Sequence, residues 1–128
     1  METVRQASCY EGDLTGSITA VARAYFDYAT RQSTFYRMLL SMWFAPPSSE
    51  YFPVIQEVLQ EQTGLLTEMF ERASADHGNM RGRHRLYAVS FKGLIDTYIA
   101  VAAHGQLDLK SDEFQYRIIH QFMHGLFS

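Results

Sequence analysis

The residues of this 128-residue chain whose types and spacing could do chemistry are five histidines, a single cysteine and a short basic run. His120 and His124 stand four apart, a spacing that turns two imidazoles toward one metal ion on a helix face. No cysteine or acidic ligand is offered beside them, and the chain has neither an HExxH motif nor a Glu-x-x-His. Surface or interface histidines are the simpler reading, and no metal site is expected. His77 and His104 sit beside Gly78 and Gly105 at expected helix ends, where the last carbonyls favour an imidazolium. His84 lies among Arg81, Arg83 and Arg85, a run expected to be solvated.

Nucleophilic chemistry has less to work with. Cys9 lies in an unpatterned stretch with no histidine close in sequence, and no serine stands in a Gly-x-Ser-x-Gly elbow. Gly78, Gly82 and Gly105 read as turn glycines, and Glu57, Glu61, Glu68 and Glu71 as a solvated helix face. No active site and no cofactor is expected, so the chain is not read as an enzyme. A formal net charge of -3 argues against a nucleic-acid-binding surface, which shows a basic excess. One cysteine excludes an internal disulfide framework and fits a reducing compartment. No uninterrupted apolar run approaches membrane-spanning length, so a cytoplasmic protein with no membrane partner is expected.

The aromatic residues make a stronger pattern. Nine Phe, eight Tyr and one Trp are accompanied by six Met. Each alone is most simply core filling. As a set, Tyr25, Tyr28, Met38, Met42, Trp43, Phe52, Met69, Phe70, Phe91 and Tyr98, with Gln62 as a polar handle, suit the wall of a pocket for an apolar or aromatic small molecule. Methionine adds a surface that repacks around different guests.

These residues have to be positioned by helices, because no period-two alternation runs to a useful length. Residues 1–16 read as a tail or the end of a connecting helix, and 17–128 as one domain. Ser17 is a candidate cap for a first helix carrying Ile18, Val21, Ala22, Tyr25, Phe26 and Ala29 at spacings of three and four. Ser33 or Thr34 would cap a second, Phe35 to Ala45, apolar nearly all round and so expected to be buried or to border a cavity. Pro46 and Pro47 stop it. A long amphipathic third helix follows, about Glu50 to Ala75, then Leu86 to Ala103 and Ser111 to Phe127.

The last two segments are apolar on more than one face. In the fourth, Leu86, Val89, Gly93, Leu94, Thr97, Tyr98, Val101 and Ala102 fill one stripe, while Phe91, Ile95 and Ile99 make a second. In the fifth, Phe114, Ile118, Phe122 and Leu126 line one side, with Ile119 and Met123 alongside. One stripe suffices to dock a helix on its own core. The excess points to a homodimer whose interface is Phe91, Ile95, Ile99, Ile118, Ile119, Phe122, Met123 and Leu126.

Several runs carry a family resemblance. Ala24-Tyr25-Phe26-Asp27-Tyr28-Ala29 followed by Phe35-Tyr36-Arg37-Met38-Leu39-Leu40, then Phe91-Lys92-Gly93-Leu94-Ile95-Asp96-Thr97-Tyr98-Ile99, Gly105-Gln106-Leu107-Asp108-Leu109 and Ile118-Ile119-His120-Gln121-Phe122-Met123-His124-Gly125-Leu126-Phe127 resemble the regulatory domain of TetR/AcrR-type transcriptional regulators. The resemblance implies an all-α, five-helix effector-binding domain whose last two helices form an intermolecular four-helix bundle. A small hydrophobic effector would then shift the spacing of DNA-reading heads and release or restore repression. Residues 1–16 offer no counterpart of the family's helix-turn-helix, so DNA would be reached only through heads this stretch does not contain. A fragment of a longer regulator and a naturally headless relative remain open. The alternative is a stand-alone helical dimer that binds a hydrophobic molecule with no transcriptional role.

Overall fold

The computed structural model describes residues 6, 13–43, 46–73, 82–103, 105 and 108–127, with the backbone alone at 43 and 125–127. Among the described residues the chain is all-α: α1 Leu14–Arg31, α2 Ser33–Trp43, α3 Phe52–Ala73, α4 His84–Ala103 and α5 Asp112–Phe127. The readings placed on Cys9, His77 and His104, and on the side chains of Trp43 and Leu126, lie outside the described residues.

Helix α1 starts earlier than Ser17. Asp13, in extended conformation, caps it by accepting from the Gly16 N–H at 3.1 Å. A Cβ at position 16 would collide with that carboxylate, so the glycine belongs to the cap. Its C-terminal residue Gln32 serves two helices at once. The Gln32 N–H donates to the Tyr28 carbonyl at 2.8 Å, and its own carbonyl accepts from the Tyr36 N–H at 2.9 Å. Helix α2 therefore begins at Ser33, with no room for a separate cap at Ser33 or Thr34.

Helix α2 is less buried than its composition suggests. Among its described side chains only Tyr36 is in the core, while Phe35 and Met38 are exposed and Leu39, Leu40 and Met42 are half-buried. It lies on the outside of the bundle and sends Tyr36 inward. The Pro46–Phe52 connection is a chain of turns in which Ser49 Oγ accepts from the Tyr51 N–H at 3.2 Å.

Helices α3 and α4 form the most extensive pair in the bundle, and α1 packs against α5. The core runs through all five helices: Ile18, Tyr25 and Phe26 of α1, Tyr36 of α2, Leu66, Met69 and Phe70 of α3, Phe91, Ile95 and Ile99 of α4, and Ile118, Ile119 and Met123 of α5. Phe91 and Phe122 cross with ring centroids 5.1 Å apart, and Tyr98 meets Phe114 edge-on at 5.4 Å, so α4 and α5 run antiparallel. A polar tie closes the α1–α5 side. Arg23 Nε donates to Gln115 Oε1 at 3.1 Å, and Gln115 Nε2 donates to the Leu109 carbonyl at 2.7 Å. Gly105, with a φ of +78°, turns the chain out of α4 as its N–H bonds the Ala102 carbonyl.

Two sequence expectations are corrected here. The stripe of α4 assigned to a partner subunit, Phe91, Ile95 and Ile99, is the one that faces the core. The outward face is the other stripe, with Leu86 67% and Val89 53% exposed. Likewise Ile118, Ile119 and Met123 of α5 are buried in their own chain, and Phe122 is half-buried against it. The surface of α5 instead carries Glu113, Tyr116, Arg117, His120 and Gln121. At 20 residues, α4 is also the one helix among the described residues long and apolar enough to cross a membrane by length and composition. It carries a charged pair at mid-length and packs within the bundle.

Candidate functional site

Helix α4 is the most apolar of the five, yet its inward face carries Lys92 and Asp96 one turn apart. Their exposures are 3% and 9%. Lys92 Nζ lies 2.6 Å from both carboxylate oxygens of Asp96. Tyr36 Oη donates to Asp96 Oδ1 at 2.5 Å and accepts from Lys92 Nζ at 3.2 Å. The ammonium also stands 4.9 Å from the centre of the Tyr25 ring and 5.5 Å from that of Tyr36. Tyr28 supports Tyr36 edge-on at 6.1 Å. Three helices thus meet at one ion pair: α1 supplies an aromatic face, α2 a hydroxyl and α4 both charges.

Burial governs the protonation of this cluster. It pulls Lys92 below the ordinary lysine range, against which the Asp96 carboxylate pushes back by charge and hydrogen bonding. It drives the Tyr36 and Tyr25 hydroxyls above the ordinary tyrosine range, with the Asp96 charge adding to both. Tyr36 therefore stays a phenol that donates to Asp96. The Tyr25 hydroxyl has no hydrogen-bond partner among the described residues. The cluster has no net charge when Lys92 and Asp96 are ionised together.

Tyr36 and Lys92 form the floor of a cleft whose apolar walls are Leu39 and Leu40 of α2 and Ile55, Val58 and Leu59 of α3, with Gln62 beside them. The cleft is closed down to about 10 Å³, room for roughly one water. A larger and more open groove of about 330 Å³ lies where Ala29 and Thr30 of α1, Ser33 and Arg37 of α2, Ile99 and Ala102 of α4 and residues 108–110 come together.

The expected pocket residues are dispersed by the fold. Tyr25, Met69, Phe70 and Phe91 are core, and Phe70 packs on Tyr87, Phe91 and Phe122 at 5.9, 6.4 and 6.2 Å. Tyr28, Met42, Phe52 and Tyr98 are half-buried and Met38 is exposed. Among the described side chains of that set Gln62 lines the cleft, and Tyr25 meets the cluster with its ring beneath the Lys92 ammonium. Lys92, Asp96 and Tyr36 were not among the expected site residues. The signal for them lay in the sequence as two opposite charges four apart inside an otherwise apolar helix.

His120 and His124 are exposed and stack with Tyr116 in a row, at centroid distances of 5.7 and 6.2 Å. Among the described residues no group of three or more His, Cys, Asp or Glu side chains is placed to hold a metal ion. Compared with known proteins, the chain matches no family model, no curated protein and no solved structure.

Proposed function

We propose that this chain is the effector-binding, homodimerising domain of a TetR-like transcriptional regulator, acting as a repressor whose DNA-reading heads lie outside these 128 residues. The observation that carries the reading is the Lys92–Asp96–Tyr36 cluster at the floor of an apolar cleft between α2 and α3. A buried ion pair adds little net stability compared with apolar residues of the same volume. Its value here lies in what it joins. The Tyr36–Asp96 bond latches the outer helix α2 to the central helix α4. A small apolar or aromatic effector entering between Leu39, Leu40 and Val58 must widen the cleft and load that latch. The two arrangements of α2, latched and displaced, are the states between which the effector shifts the population.

Dimerisation belongs to the same reading through the outward face of α4. Leu86 and Val89 are exposed there, followed along the helix by Gly93, Thr97 and Ala100, small enough for two helices to approach closely. The experiment is a screen of small apolar and aromatic compounds against the dimer, read by melting temperature and by Trp43 fluorescence. A concentration-dependent rise in melting temperature that Tyr36→Phe weakens supports the reading. A flat response across the screen would remove the effector role.

A further inference from the structure

We infer that the effector is electrically neutral, with a carbonyl or hydroxyl as its polar end, and that the Lys92–Asp96 pair is the filter that rejects charged analogues. This rests on the cleft being the effector site. The walls of the cleft are aliphatic, and among the described residues the polar groups facing it are Tyr36, Gln62 and Lys92. Lys92 is already bonded to both oxygens of Asp96, so the floor offers no uncompensated charge of either sign.

A carboxylate seated against Lys92 would compete with Asp96 for one ammonium and leave a buried negative charge in excess. An ammonium entering the cleft and drawing on the Asp96 charge behind Lys92 would leave a positive one. Either excess charge is costly in an apolar enclosure. A ketone or alcohol adds none, and it can exchange hydrogen bonds with the same side chains. Selection therefore arises from what the floor penalises as much as from what it attracts.

Three compounds built on one phenyl ring separate the possibilities: acetophenone, benzoate and benzylamine, each titrated by calorimetry into the intact chain at neutral pH. Acetophenone is expected to bind tighter than either charged compound by on the order of ten-fold or more. Any apolar cavity would prefer the ketone, so the role of the pair is read from variants. Asp96→Asn leaves the Lys92 charge uncompensated, and benzoate should then gain about ten-fold while benzylamine does not. Lys92→Gln, the complementary variant, should favour benzylamine instead. Benzoate or benzylamine binding the unaltered chain as tightly as acetophenone would overturn the inference and leave the cleft as the effector site. An unchanged order in a folded variant would do the same. Failure of all three compounds to bind would overturn both.

Discussion

Lys92 and Asp96 stand one helical turn apart with Nζ 2.6 Å from both carboxylate oxygens, on the inward face of the helix richest in apolar residues. Neither side chain reaches solvent to any useful extent, and Tyr36 closes the pair from the neighbouring helix. The bundle thus holds a charged centre where an aliphatic one would pack as well.

Removing one partner should expose that arrangement. Lys92→Met strands the Asp96 carboxylate and is expected to cost about 3–5 kcal/mol in urea unfolding. Lys92→Met combined with Asp96→Leu should recover most of the loss, because no buried charge is then left unpaired. A double variant as unstable as the single one would mean that the pair itself holds the fold together.

Alkaline stability follows from the two phenols. In the folded state Tyr25 and Tyr36 stay protonated above the ordinary value of 10.0, at which they titrate in the unfolded chain. The folded state then binds more protons, so stability is full below pH 10 and declines above it, by about 1.4 kcal/mol per pH unit for each phenol. Lys92 acts in the opposite sense. Its folded value is lowered from 10.5, so stability rises with pH until 10.5 is reached and is flat thereafter. Denaturation followed from about pH 8 to 11 should show stability rising toward pH 10, falling above it and falling more steeply above 10.5, and Tyr25→Phe should halve the steep limb.

Tyr25→Phe serves a second purpose at neutral pH. Its hydroxyl is buried with no partner among the described residues, while its ring is a fully packed core surface. Deleting the oxygen alone should leave stability unchanged or raise it by about 1 kcal/mol in thermal or urea unfolding. A loss of several kcal/mol would reveal a partner for that hydroxyl.

Exposed helical glycines separate folding from association. A Cβ at Gly64 or Gly93 meets nothing within 4 Å. Gly64→Ala should stabilise α3 by about 0.5–1 kcal/mol. Gly93→Ala gains the same helix propensity but thickens the outward face of α4, so it should raise the dissociation constant of the proposed dimer. Leu86→Glu on that face should give monomers in sedimentation without lowering helicity. Dimers that withstand Leu86→Glu would move the interface elsewhere.

The helices themselves were legible in the sequence, because spacings of three and four marked each of them and Pro46, Pro47 and Gly105 punctuated them. Their ends were less so. From sequence Ser17 stands as the cap in place of Asp13, since Gly16 weakens the helical signal of the first turn that Asp13 caps. The orientation of α4 was read backwards for a physical reason. Both stripes are apolar, and the stripe that packs inside is the one interrupted by Lys92 and Asp96. Hydrophobicity alone places such a face outward; only the mutual neutralisation of the two charges lets it turn in. The dispersal of the expected pocket residues has a related cause. Aromatic size marks a residue as core or cavity without distinguishing them, and Phe70, Phe91 and Phe122 satisfy one another.

The cleft as effector site is tested most directly by amide and methyl NMR of the chain titrated with acetophenone. Shifts should concentrate on Leu39, Leu40, Val58, Leu59 and the Lys92 side chain, which line the cleft. Shifts confined to Thr30, Arg37 and Leu109, around the open groove, or no shifts at all, would contradict it.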